Sequence, residues 1–305
     1  VPAISTPNVD EMRVTDRFRA HVAMTKPRII ELLLVTAIPT MFLAAAGLPT
    51  LRSAIAVLVG GAAAAGAANT FNSVYDRDVD AVMARTHDRP LARGVVSLRA
   101  GVAQGAVLTA VSVLVLGLLT NVLAAGLALV AIVLYAVGYT MILKRRTTQN
   151  IVWGGAAGCM PVLIAWAAIT GSLTWTPVIL FLVVFFWTPP HYWPLAMKYR
   201  QEYQQAGIPM LPVVATDAVV ARQIIAYSWV MVAVSFALVP VAGMGPVYVV
   251  GAVALGALFL VLAYRVRSAV GSVDLDRRAM RLFHGSITYL AVLFLLVGVD
   301  PFLRG

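Results

Sequence analysis

Residues 72–94 read "NSVYDRDVDAVMARTHDRPLARG" and follow directly on the apolar run "AIAVLVGGAAAAGAA" of residues 54–68. Four aspartates and four arginines therefore meet at the end of a stretch apolar enough for lipid. A charge at the centre of a bilayer costs about 3 kcal/mol or more. Such a cluster belongs where a membrane helix leaves the lipid, and it is placed there to bind something.

The composition of the chain agrees. Of 305 residues 61% are hydrophobic and only 12% charged, and the mean hydropathy is +0.88. A soluble domain carries about 25% charged residues, so this is an integral membrane protein. Its 23 Lys+Arg against 13 Asp+Glu would suggest nucleic acid in a soluble protein. In a membrane protein the same excess sets orientation, and no nucleic-acid partner is expected. The single cysteine, Cys159, excludes an internal disulfide and any Cys-based zinc or iron–sulfur site. The first 27 residues are polar and lack an apolar core, so no cleavable signal is expected.

Apolar runs of about 20 residues, the length that crosses the hydrocarbon, recur near 29–48, 54–75, 101–120, 122–143, 151–170, 174–194, 222–241, 245–264 and 283–299. The pattern predicts an all-α bundle of nine transmembrane helices. Residues 1–28 form a polar cytoplasmic segment and residues 29–305 a single membrane domain. With the N-terminus inside, 21 of the 23 basic residues fall on the cytoplasmic side and only Arg52 and Arg304 on the other. The positive-inside rule then puts the polar loops in the cytoplasm and the C-terminus opposite, in a multi-pass protein of the cell membrane.

Asn72, Asp76 and Asp80 stand at i, i+4 and i+8, which on a helix keeps all three on one face. Two carboxylates one turn apart, with an amide a turn deeper, suit Mg²⁺, which takes one or two protein carboxylates and fills its shell with water and phosphate oxygens. The alternative is a solvated helix end with Asp–Arg pairs; Asp78 points away from the shared face in either case. Arg85, Arg89 and Arg93 recur every four residues, with Pro90 interrupting any helix. Arginine suits bidentate phosphate or carboxylate binding. Tyr139 and Lys144, with Arg145 and Arg146, add donors at the end of the fourth span, either for phosphate or as a topology signal. A second dense segment, "FFWTPPHYWPLAMKYRQEYQQAGIPMLP" (185–212), carries His191, Lys198, Arg200, Glu202 and Tyr203. Its Pro-Pro pair is expected to end or kink the sixth span. Trp187, Tyr192 and Trp193 read first as an interfacial belt and second as walls for a flat substrate. Both polar segments lie on the same predicted face, as two halves of one site.

Taken together, "TKPRIIELLLVT", "NSVYDRDVDAVMARTHDRPL", "GYTMILKRRTTQNIVWGG" and the 185–212 segment resemble the UbiA superfamily of membrane prenyltransferases over residues 22 to 300. N-x3-D-x3-D points to the superfamily; "RTHDRPL", "TPPHYW" and "AGIPMLP" are similar to the branch that farnesylates protohaem IX. The resemblance implies a helix bundle around a lipid-open cavity capped by cytoplasmic loops. It implies haem B and farnesyl diphosphate as substrates, Mg²⁺ as cofactor, membrane lipid as surroundings and the next haem-modifying enzyme as a partner. It also implies that Asn72, Asp76 and Asp80 bind Mg²⁺–diphosphate, with Arg85, Arg89, Tyr139 and Lys144 against the diphosphate. Lys198, Arg200 and Glu202 occupy the place of the superfamily's second Asp-rich motif, so a second carboxylate-held Mg²⁺ is not expected. Arg200 is assigned to diphosphate or haem propionates and His191 to the porphyrin end. Alternatives are prenyl transfer to an aromatic or quinone ring, a phosphatidyl-alcohol transferase, and a transporter, which would want charges near mid-membrane.

Overall fold

The computed structural model describes residues 13–303. Residues 1–12 of the N-terminal segment, and Arg304 of the opposite-side assignment, lie outside the described residues. The chain is built from helices α1 (Val14–Met24), α2 (Pro27–Ala45), α3 (Leu51–Tyr75), α4 (Arg77–Val82), α5 (Leu98–Leu119), α6 (Val122–Val133, continued to Leu143), α7 (Asn150–Thr170), α8 (Trp175–Lys198), α9 (Arg200–Gln205), α10 (Leu211–Val214), α11 (Asp217–Ala242), α12 (Pro246–Arg267) and α13 (Leu275–Leu303). Among the described residues nine of these, α2, α3, α5–α8 and α11–α13, are long and apolar enough to cross a membrane. They match the nine expected spans one for one. The largest boundary difference is α13, which starts at Leu275 rather than near 283 because its first two turns are the arginine-rich RRAMR stretch that hydropathy rejects.

Local chemistry sets the ends. Thr50, Ser97 and Asn121 cap α3, α5 and α6 by accepting from Ser53, Ala100 and Ala124 N–H. Gly171 and Gly243 stop α7 and α11 in the left-handed conformation, at φ 68° and 63°. All charged residues of the nine spans sit within two turns of a helix end, so the interior of the bundle is apolar.

That interior divides in two. One core joins α8, α11, α12 and α13 through residues such as Leu180, Met231, Phe259 and Phe294. The other joins α2, α3, α6 and α7 through Met41, Ala64, Ala128 and Ile164. The main cavity, about 360 Å³, lies where the two cores meet, with walls from α2, α6, α7, α8 and α13. Small residues hold it open on α7, where Gly154 and Gly155 bring the backbone against Tyr139 and Thr188.

One of the two outcomes expected of the Pro-Pro pair, an end to the helix, is corrected. The Pro189–Pro190 pair does not end α8, which runs on through Pro194 to Lys198. Each proline removes only its own N–H, and neighbouring helices hold the segment: Trp187 Nε1 donates to the Ser286 carbonyl on α13 at 2.8 Å.

Candidate active site

The hydrogen-bond ladder of α3 continues past its own end. Asp76 N–H donates to Asn72 O at 2.9 Å and Asp80 N–H to Asp76 O at 2.7 Å, so the four-residue register survives the loosened backbone at Asp76. Asn72, Asp76 and Asp80 are all buried. The Asn72 amide donates to Asp76 Oδ2 at 2.7 Å and to Thr140 Oγ1 at 3.1 Å, while its oxygen accepts from Lys26 Nζ at 2.5 Å. Asp76 also accepts from Lys144 Nζ and, at 3.5 Å, from Arg145. Asp80 takes Arg89 Nη1 on both oxygens, at 2.7 and 2.8 Å. Acid–base pairs are present, as the solvated-end alternative required, but at Asp76 and Asp80 they are removed from water. Asp78 alone fits that alternative: it is exposed, and two bonds from Arg145 hold its carboxyl down at about 2.

Four cations, Lys26, Arg85, Arg89 and Lys144, line the same end of the cavity as Asp80. Burial, with Arg89 close by, draws the Lys26 ammonium down to about 7. Arg85 crosses to the second polar segment. Its guanidinium donates to Tyr203 OH at 3.1 Å and lies 5.4 Å from the centre of the Tyr199 ring, and its backbone N–H reaches Glu202 at 3.4 Å. Tyr203 in turn bonds Tyr192 OH at 3.0 Å, and burial pushes its phenol up. The two halves expected from sequence therefore touch. Tyr139 enters from Leu134–Leu143, where the end of α6 widens to i→i+5 bonding. Such widened turns are frequent at functional sites. A Cβ on Gly154 would stand 2.1 Å from its ring.

His191 lies at another wall. Its ring stacks between Trp187 (centroids 4.1 Å, 13°) and Phe283 (4.8 Å, 23°). Its Nδ1 is 2.6 Å from Ser286 Oγ, and that hydroxyl donates to Phe283 O at 2.6 Å. With the hydroxyl proton given to the carbonyl, Ser286 accepts from Nδ1–H, and Nε2 keeps its lone pair. Trp187 and Tyr192 line the cavity and Trp193 is buried, so these rings are not a lipid-facing belt. The exposed tryptophans near span ends are instead Trp153 and Trp175.

Three expected residues stand elsewhere. Lys198 is exposed at the end of α8, over the Tyr199 ring at 5.6 Å, because the continuing helix turns it away from the cavity. Arg200 is spent on Asp217 at the start of α11. Glu202 is not on the cavity wall and meets the site only through the Arg85 backbone. Among the described residues no three His, Cys, Asp or Glu side chains gather as a ready-made metal cage. Lys26, Tyr135 and Ser286 were not singled out by the sequence reading. Lys26 had one signal, its place in "TKPR" just before a helix start, and Tyr135 another, one turn before Tyr139 on the same helix; Ser286 reaches the site only through tertiary packing.

The UbiA prenyltransferase family model matches residues 33–297. The chain belongs to this family. It is 53% identical to a protoheme IX farnesyltransferase of Leifsonia xyli subsp. xyli, over 97% of this chain and 96% of the relative. It is 55% identical to one of Streptomyces avermitilis, over 94% and 95%. The fold resembles that of a digeranylgeranylglyceryl phosphate synthase (TM-score 0.76, 14% identity, 94% and 99% covered). It also resembles a UbiA homolog from Archaeoglobus fulgidus bound to GPP and Mg²⁺ (TM-score 0.61, 16%, 91% and 99%). In this UbiA prenyltransferase a second, apolar cavity of about 110 Å³ meets the first at Tyr135 and Gly158 and runs between α2, α3, α6 and α7. A charged chamber thus opens onto an apolar one, which suits a substrate with an ionic head and a hydrocarbon tail.

Proposed function

We propose that the chain transfers the farnesyl group of farnesyl diphosphate to a vinyl group of protohaem IX, with addition of water, to give haem O. The observation that carries the reading is the division of one cavity. Four cations and Asp80 gather at one wall, His191 between two aromatic rings stands at another, and an apolar annex adjoins both. Relatives more than 50% identical bear the name of that activity.

The first half-site fits a diphosphate with Mg²⁺. Asp76 and Asp80 are hard oxygen donors one turn apart, with Asn72 beside them, and Mg²⁺ asks for no more than one or two carboxylates when phosphate oxygens complete its shell. The homolog from Archaeoglobus fulgidus binds GPP and Mg²⁺. Mg²⁺ would neutralise charge on the departing diphosphate. Lys144 and Arg89, which now hold the two aspartates, would pass to phosphate oxygens as the metal takes their place. Lys26, Arg85 and Tyr139 complete the donor set around the leaving group.

Departure of diphosphate leaves an allylic cation at C1, sheltered by the apolar walls. The electron pair of a haem vinyl group forms the new C–C bond to C1. Water then adds to the porphyrin-side cation and loses a proton, leaving a hydroxyethylfarnesyl group. The fifteen-carbon tail is assigned to the annex beyond Tyr135. His191 Nε2, with its lone pair free, is assigned to the porphyrin end as iron ligand or proton acceptor.

The chain from residue 29 onward acts as one domain, with N-terminus and active-site loops cytoplasmic, in the cell membrane, as the basic residues of alternate loops support. The product stays in lipid, so the next haem-modifying enzyme is the expected partner. The test is one assay: purified protein, haem B, farnesyl diphosphate and Mg²⁺, with and without EDTA, followed by mass spectrometry of the pigment. A Mg²⁺-dependent gain of one farnesyl and one water is expected. Intact haem binding with no product would move the acceptor to another ring.

A further inference from the structure

A second polar cavity, about 180 Å³, opens between the end of α12 and the start of α13 and is lined by Leu262, Arg265, Arg277, Arg278 and Arg281. It shares no residue with the site above. Span alternation puts it on the membrane face that carries the Asp segment, since α3 and α12 both end there.

The four guanidiniums are not equivalent. Arg277 pairs with Asp274 at 2.9 Å. Arg278 ties the two helices together, donating to Arg265 O at 3.3 Å and Ser268 Oγ at 2.9 Å. Arg265 and Arg281 have no side-chain partner among the described residues, although both face the same small cavity. Both residues are exposed, so an anion entering the cavity meets two guanidiniums free to bind it, and the planar fork of arginine matches phosphate oxygens. Below the cavity the lipid-facing side of α12 is apolar: Val261 and Leu258 stand one and two turns from Arg265 and are 46% and 60% exposed. Charge at the rim and an apolar stripe beneath it describe an amphiphile lying along the helix.

We propose that this cavity binds the phosphate of an anionic phospholipid, with Arg265 and Arg281 on the phosphate oxygens, Arg278 bracing the rim and an acyl chain along Leu258 and Val261. The shared chemistry is a phosphate oxyanion; the apolar stripe favours the lipid over a free ion.

Native mass spectrometry of the full chain, delipidated in detergent and titrated with phosphatidylglycerol, tests it. Wild type should retain one phosphatidylglycerol in preference to phosphatidylcholine. R265Q/R281Q should weaken that retention about tenfold or more, while R267Q, at an arginine outside the cavity, should not. Both variants should keep the wild-type melting temperature; if the double variant does not fold, R281Q alone gives the same reading. Equal retention by wild type and the folded variant overturns the proposal. Displacement of the lipid by millimolar inorganic phosphate, with no preference for phosphatidylglycerol, assigns the cavity to a soluble oxyanion and overturns the lipid assignment.

Discussion

The segments 72–89 and 187–203 meet across one cavity and make opposite use of buried polarity. The first buries charge on charge: Asp76 against Lys144 and Arg145, Asp80 against Arg89. The second is uncharged where it faces the cavity, with Trp187, His191, Tyr192 and Tyr203 supported by hydroxyls and a backbone carbonyl. Charges removed from water are costly unless paired. The first segment is therefore stable only while its ions have partners, and a substrate able to replace those partners can enter. The second needs no replacement and holds its shape. In the proposed reaction one half-site would exchange ions on binding, and the other would stay a fixed aromatic slot.

The largest expected effect breaks the first half alone. Asp80→Asn keeps the shape of the side chain and removes its charge, so Mg²⁺-dependent turnover should fall about 1000-fold. Haem binding, read from the haem absorbance, should stay near wild type, because among the described residues the Asp80 carboxylate is bonded to Arg89 and not to the aromatic slot. Loss of haem binding in the folded variant would show that the two halves are one unit. Asp76→Asn is the harsher change, since it leaves Lys144 and Arg145 beside an uncharged, fully buried side chain.

His191→Ala tests the other half. The expected outcome is a shifted haem spectrum and a roughly 100-fold lower turnover. Mg²⁺-dependent binding of farnesyl diphosphate, measured by calorimetry, should be nearly unchanged. If diphosphate binding fell as much as turnover, the assignment of His191 to the porphyrin end would fail.

The same contrast explains what could be read from sequence. The span count was legible because twenty apolar residues suffice to mark a helix in lipid. The Asp segment was legible because its register is local: Asn72, Asp76 and Asp80 are placed by the 3.6-residue turn alone. The slot was not. Ser286 lies 95 residues from His191, and no periodicity links them. Lys198 and Arg200 follow a Pro-Pro pair that is expected to end or kink the helix; α8 instead runs on to Lys198, which faces outward, and Arg200, on the next short helix, turns to Asp217. Charge drew attention there, whereas the cavity is built from tyrosines, a tryptophan and a lysine from before the first span.

Ser286→Ala sharpens the comparison further. It removes the acceptor for His191 Nδ1–H and leaves that N–H buried without a partner, at a cost of about 1–2 kcal/mol. Turnover should fall about tenfold, with the haem spectrum moved in the same direction as in His191→Ala but less. Ser286→Thr retains the hydroxyl and should recover most of the loss. An unaltered spectrum in Ser286→Ala would mean that the stack between Trp187 and Phe283 alone orients the ring.

The smallest effect is expected where sequence placed a cation and the structure does not. Lys198 is exposed, lies over the Tyr199 ring, and is not among the described residues that line the cavity. An exposed cation–π contact is worth about 0.5–1 kcal/mol. Lys198→Ala should therefore change stability by no more than that and leave turnover within about twofold of wild type. Arg200→Ala would lose a pair with Asp217 whose side chains are 36% and 28% exposed, a loss of about 1 kcal/mol set away from the cavity wall. Should Lys198→Ala instead lose activity as Asp80→Asn does, the diphosphate would have to reach beyond the four cations on the wall. The charged half-site would then extend along α8, and the separation between an ion-exchanging half and a fixed aromatic half would no longer hold.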